Sequence, residues 1–246
     1  MRSNKLAMLA ATGLLVLMTS GALAADLPPP YSAPPPAPVF SWTGYYWGAN
    51  IGYGWGTSKY DASITFVGAI SGSQNINGAI VGFQSGYNYQ LGNWMIGTES
   101  DLQWSGQKGN ATFPGVLPLS TVTTSQKLEW FGTARTRAGF LATPNLLLYG
   151  TFGVAYGRVS DTTTTTVTGV GSGTQSFKDV KAGWTAGAGI EGAFGGGWSA
   201  KLEYLYLDLG KTEETFATPA QGTVVTETRR LTDNIVRVGV NYKWGG

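Results

Sequence analysis

The chain has 246 residues, of which 12% are charged and 13% aromatic, with 37 glycines; the charged share is about half that of an ordinary soluble domain. There is no cysteine and no histidine, which excludes disulfides, thiol chemistry and any imidazole base or metal ligand. The formal charge is +2, but without Arg2 and Lys5 of the N-terminal segment, fourteen basic residues face fourteen acidic ones. The balance of the rest is zero, which gives no reason to expect a nucleic-acid partner.

Arg2 and Lys5 precede the apolar run Leu6 to Met18, and Ala22-Leu23-Ala24 has the small-x-small form cut before Ala25, so residues 1–24 read as a signal peptide with cleavage between Ala24 and Ala25. The apolar core is too short to span a bilayer as a helix. Residues 25–41 follow as a Pro-rich arm: seven of the eleven prolines lie in Leu27 to Pro38, and such a run is an extended spacer.

From residue 42 to 246 the chain alternates. Thr43 to Trp55 sets Tyr45, Trp47, Ile51, Tyr53 and Trp55 on one face and Tyr46, Gly48, Asn50 and Gly52 on the other. Ile76 to Gln90, Trp94 to Trp104, Leu128 to Phe140 and Leu146 to Tyr156 repeat that period of two, the mark of a strand with unlike faces. Leu128 falls with Trp130 on the greasy face by this count. Ala182 to Leu209 reads as two strands around Gly195-Gly196-Gly197, and Asn234 to Trp244 closes the set at eight.

The connections alternate too. Leu91 to Asn93, Thr143 to Asn145 and Gly195 to Gly197 are tight turns; Thr57 to Asn75, Gly109 to Ser125, Asp161 to Val180 and Lys211 to Arg230 are long polar segments. Three turns and four loops are what an eight-stranded antiparallel transmembrane β-barrel requires, with the loops outside the cell. Whether the Thr162 to Thr166 run forms a hairpin above the membrane is left open by the residues alone.

Aromatics choose lipid over water as the outer solvent. Tyr45 and Trp55, Trp94 and Trp104, Trp130 and Phe140, and Trp184 and Phe194 share the apolar face ten residues apart; at about 3.3 Å per residue and a tilt near 40° this is roughly 25 Å of height. With strand direction alternating, Trp55, Trp104, Trp130, Tyr156, Trp184 and Tyr206 fall at the loop end. Tyr45, Tyr89, Trp94, Phe140, Phe194, Trp198 and Trp244 fall at the turn end, giving two aromatic girdles.

The other face carries Glu99, Asp101, Glu129, Glu191 and Glu203 against Arg135, Arg137, Lys201, Arg237 and Lys243. An eight-stranded interior has room only for its own side chains, so the expectation is a charge-paired plug, with a narrow ion path as the alternative. Glu99 and Asp101 on one strand suggest no catalysis, because a sealed lumen admits no substrate. No cofactor or metal site is expected. At the rim, Lys59, Lys108, Lys127, Arg158, Lys178, Lys181, Lys211, Arg229 and Arg230 mix with Asp61, Asp161, Asp179, Glu213, Glu214 and Glu227. A solvated mixed-charge rim is the favoured reading there, over a patch for lipopolysaccharide phosphates.

These residues resemble the small porin-like outer-membrane proteins of alphaproteobacteria, the group that includes the major surface proteins of brucellae and rhizobia. The likeness is carried by Phe40 to Gly56 (FSWTGYYWGANIGYGWG), Phe131 to Gly139 with its GTARTRAGF, Gly183 to Gly210, and Asn234 to Tyr242 with its NIVRVGVNY. It implies an OmpA/OmpX-like barrel in the cell outer membrane, inserted by the barrel-assembly machinery, surrounded by lipid including lipopolysaccharide, and presenting loops to host or environmental ligands. The family is also often labelled porin, and some relatives are described as haemin binders, for which Tyr60 is the candidate ligand here. Such barrels usually end on an aromatic residue, whereas here Gly245 and Gly246 follow Trp244.

Overall fold

The computed structural model describes residues 40–64, 68–114, 120–218 and 223–244. The expected signal peptide with its cleavage point at Ala24 and Ala25, nearly all of the expected Pro-rich arm, and Gly245-Gly246 lie outside the described residues. Apart from the lead-in at 40–43 and short connections, what is described is strand: β1 (Gly44–Ile64), β2 (Gly68–Leu91), β3 (Trp94–Ser105), β4 (Lys108–Pro114), β5 (Ser120–Thr143), β6 (Leu146–Val167), β7 (Gly171–Gly195), β8 (Trp198–Thr218) and β9 (Thr223–Trp244).

Every pairing is antiparallel, and β1 pairs with both β2 and β9, so the sheet closes on itself. β3 and β4 are one rung of that ring, interrupted at Gly106 and Gln107. The Gly106 N–H donates to the Ala79 carbonyl at 2.9 Å and the Leu128 N–H to the Gln107 carbonyl at 3.1 Å, carrying the ladder across the break. The result is the expected eight-stranded antiparallel barrel. Closure pairs the backbone groups of every strand on both sides, which is what crossing hydrocarbon demands.

The short turns form where glycine allows them. Gly92 takes φ +60°, and Gly195, Gly196 and Gly197 take +103°, +61° and +83°, all in the left-handed range that an L side chain avoids. At the other end the strands run on well past the aromatic ring. There the wall divides. β2, β1, β9 and β8 stay paired as one four-stranded sheet, and β4, β5, β6 and β7 as another. Pairing between β7 and β8 stops at Trp184 and Asp208, and β2 meets β4 only at Asn77 and Lys108. The threonine run Thr162 to Thr166 lies in the β6–β7 hairpin, where Thr162 and Ser176, and Thr164 and Thr174, join hydroxyls at 3.1 Å across the strands.

The aromatics of the two rows lie on the outside of the barrel. Tyr45, Trp55, Tyr89, Trp94, Trp104, Phe140, Tyr156, Trp184, Phe194, Trp198 and Trp244 are exposed, and Trp130 and Tyr206 half-buried. Neighbours touch from strand to strand. At the hairpin end Phe83 and Trp104, Trp130 and Tyr156, and Trp184 and Tyr206 have ring centroids 6.0, 6.2 and 5.3 Å apart. At the turn end Tyr45 and Tyr87, Trp94 and Phe140, and Trp198 and Tyr242 lie 4.6, 5.4 and 5.0 Å apart.

The interior holds more than charge. Toward the hairpins Ile76, Ile80, Leu128, Phe131, Val159, Leu205, Leu207, Leu209, Leu231 and Ile235 form a buried apolar layer. Toward the turns Trp42, Met95, Leu141, Leu147 and Tyr149 form a second one. Leu128 is therefore inward, not outward as alternation from Trp130 suggested. A register shift between Leu128 and Trp130 accommodates one extra residue and reverses the count at that point.

Candidate functional site

Between the two apolar layers four acids and four bases meet. Glu99 and Asp101 come from β3, Arg135 and Arg137 from β5, Glu191 from β7, Lys201 and Glu203 from β8 and Arg237 from β9, all buried. Each is the inward residue of its strand. Inward positions recur every second residue, so β3, β5 and β8 each supply two charges at successive inward positions and β7 and β9 one each, which is how five strands deliver eight charges to one layer.

The pairs cross the lumen as well as running along the wall. Arg135 binds Asp101 at 2.8 Å, Glu203 at 3.1 Å and also Glu99, while its Nε donates to the Thr133 hydroxyl at 2.9 Å. Arg237 reaches Glu203 at 2.6 Å and Asp101 at 3.0 Å. Lys201 donates to both oxygens of Glu99 at 2.9 and 2.8 Å. Arg137 binds Glu191 at 2.6 Å, and Ser199 and Asn241 add bonds of 2.6 and 2.7 Å to the other Glu191 oxygen. Charges this deep are tolerated only when paired and hydrogen-bonded on all sides.

Two tyrosines complete the layer and were not singled out by the sequence reading. Tyr46 accepts from Arg137 Nη1 at 2.7 Å and donates to Glu99 at 2.8 Å. Tyr149 donates to Glu203 at 3.0 Å, and its ring lies 4.0 Å from the Arg137 guanidinium carbon. Their signal was position: each is a tyrosine on the parity otherwise given to charge and glycine. Gly86 makes room for the first, since a Cβ there would stand 2.5 Å from the Tyr46 hydroxyl.

Two of the ten residues assigned to this network lie elsewhere. Glu129 is the extra residue of the β5 register shift, so its carboxylate leaves the lumen and pairs with Lys178 at 3.4 Å. Lys243 sits at the turn-end mouth, where it donates to the Thr43 carbonyl at 3.1 Å with its ammonium 5.5 Å from the Phe40 ring centroid. One residue of each sign is lost, so the balance of four against four survives.

The ends are closed by contacts that the composition did not foretell. At the turn end Trp42 is 2% exposed, its indole N–H donating to the Pro144 carbonyl at 3.0 Å and its backbone N–H to Gln90 Oε1 at 2.9 Å. Above the apolar layer Gln107, placed by the β3–β4 break, donates across the barrel to Asp233 at 2.8 Å. The two sheets beyond the ring touch through Thr124 and Gln74 at 3.1 Å, Arg229 and Asp161 at 3.3 Å, and the rings of Tyr60 and Phe113 at 5.5 Å. Lys181, counted among the rim residues, is buried. Among the described residues no group of three or more acidic side chains is arranged to hold a metal ion.

The sequence also matches known proteins over most of its length. Residues 12–243 match the family described as outer membrane protein beta-barrel domain. The 31 kDa outer-membrane immunogenic protein of Brucella melitensis biotype 1 is 40% identical over 94% of this chain and 97% of its own length. The 22 kDa outer membrane protein of Rhizobium leguminosarum bv. viciae is 28% identical over 85% and 82%. Among solved structures, the outer membrane protein OprG of Pseudomonas aeruginosa covers 83% of this chain and 97% of its own at 14% identity and a TM-score of 0.48. A closed eight-stranded sheet, greasy outside and ringed by aromatics at two heights, thus stands with an alignment over nearly all of the sequence: the chain belongs to the outer-membrane β-barrel protein family and resides in the outer membrane.

Proposed function

We propose that the protein is a non-enzymatic structural component of the outer membrane, its lumen closed to solutes and its long hairpins presented outside the cell. The observation that carries this reading is the mutual pairing of the eight lumenal charges, with an apolar layer on either side of them. To conduct, the barrel would have to separate buried ion pairs, and each broken partner costs about 3 to 5 kcal/mol. The same pairing leaves neither Glu99 nor Asp101 free to act as an acid or base. Tyr60 packs edge-on against Phe113, which argues against an open haemin-iron ligand. Surface presentation is supported by the length of the hairpins and by relatives named as immunogenic.

Planar-bilayer recording of the refolded full chain tests the reading. We expect no steady conductance, alongside a heat-modifiable band that reports the folded barrel. Reproducible openings of constant size would overturn it.

A further inference from the structure

We propose that the outward face of the β4–β5–β6–β7 sheet, just beyond the hairpin-end aromatic ring, binds the phosphate groups of outer-leaflet glycolipid. Lys108 and Lys127 stand directly opposite one another in the β4–β5 register. Lys127 is opposite Ser160, and Ser160 opposite Lys178. Arg158 completes the set from β6, opposite Trp130, with its guanidinium carbon 5.7 Å from that indole. Four adjacent strands so contribute four cations to one face.

Their neutralisation is incomplete within the chain. Among the described residues the one acid on this face is Glu129, brought there by the β5 bulge and engaged with Lys178. Asp161 and Asp179 fall on the inner face of the same sheet. Like charges directly opposite each other destabilise a sheet, and Lys108 facing Lys127 is that arrangement unless an anion lies between them. The opposite sheet differs. Lys59, Arg230 and Lys211 share a register row there, but Asp208 is hydrogen-bonded to Arg230, and Asp61 and Glu213 stand on the same face. On its outward face three bases meet three acids, against four and one on the outward face of the β4–β5–β6–β7 sheet.

Position selects the anion. An aromatic ring marks the membrane interface, and Arg158 is held at the level of that ring by Trp130. Phosphates of a lipid anchored against the outer wall arrive at this height at high local concentration, and they accept charge-assisted bonds from lysine and arginine. Inorganic phosphate in bulk water has no such advantage. The assignment holds whether or not the lumen conducts.

The test uses the refolded full chain in a neutral maltoside detergent, titrated with diphosphorylated lipid A and with its dephosphorylated form, and read by native mass spectrometry. We expect the diphosphorylated form to bind more tightly, with an affinity that falls as salt rises. A cation beside an anionic surface contributes roughly fivefold, so K108Q/K127Q/R158Q/K178Q should weaken binding by more than about tenfold. K59Q/K211Q on the other sheet should change it by less than about twofold. If the fourfold variant lacks the heat-modifiable band, K127Q alone decides, at about fivefold. Equal binding of both lipid forms, an unaltered affinity in the K108Q/K127Q/R158Q/K178Q or deciding K127Q variant, or displacement by inorganic phosphate at the lipid's own concentration would overturn the proposal.

Discussion

Below the hairpin-end aromatic ring and above it, the same eight strands behave as two kinds of structure. Below, the sheet is continuous, and its interior is filled by an apolar layer, a charge layer and a second apolar layer. Above, the sheet has come apart into two four-stranded walls that touch through a hydrogen bond, an ion pair and a ring contact. The difference teaches where the stability resides. In the lower part each inward side chain is packed on every side, so removing one leaves a hole or an unpaired charge. In the upper part the outward faces meet water and the inward ones bury polar side chains such as Gln74 and Gln126, so the ladder hydrogen bonds with a few cross-strand pairs carry the structure.

The largest expected effect comes from the charge layer. Arg237→Met leaves Glu203 and Asp101 short of their shared partner and should lower stability by about 3 to 5 kcal/mol, read as a drop in the urea midpoint of the barrel in lipid vesicles. Adding Asp101→Asn should recover part of the loss, because the penalty lies in the stranded carboxylate more than in the missing contact. A midpoint unchanged by Arg237→Met would mean that the charges are solvated, and the closed lumen would fall with it.

The apolar layers come next. Leu207 is fully buried among Leu205, Leu209 and their neighbours across the barrel. Leu207→Ala should cost about 2 to 4 kcal/mol with no conductance gained, since the ion pairs beneath remain intact. If instead the variant conducts, the apolar layer and not the charge layer is the seal.

How far the sequence reaches divides along the same line. Where the two faces of a strand differ in polarity, alternation tells inside from outside: Trp94 to Trp104 and Val236 to Trp244 read directly, and Arg135, Arg137, Lys201 and Glu203 share the lumenal parity. Where both parities are apolar, it failed. In LEYLYLDL the outward Leu202, Tyr204 and Tyr206 alternate with the inward Leu205 and Leu207 beyond Glu203. A pattern of greasy against greasy has no phase, so the apolar layer was not seen. Leu128 and Glu129 were misplaced for a different reason. A one-residue bulge leaves no mark in composition, yet it reverses every assignment on the far side of it. For the rim charges, a list of residues lacks the register that sorts them onto two sheets.

The smallest effect should be found in the upper part, and it is the most direct measure of the distinction. Thr164 joins hydroxyls with Thr174 on the exposed β6–β7 hairpin; such a pair contributes roughly 0.2 to 1 kcal/mol. Thr164→Ala should therefore raise the population of the open hairpin by at most about fivefold. When opening and reclosing are fast relative to cleavage, proteolysis follows that population. Cleavage between Thr162 and Ser176 in the folded barrel should accelerate within that limit, while the urea midpoint stays where it is. A midpoint that moved with Thr164→Ala would show that the hairpin and the membrane segment unfold as one unit, because a change confined to a locally opening element alters only the local equilibrium.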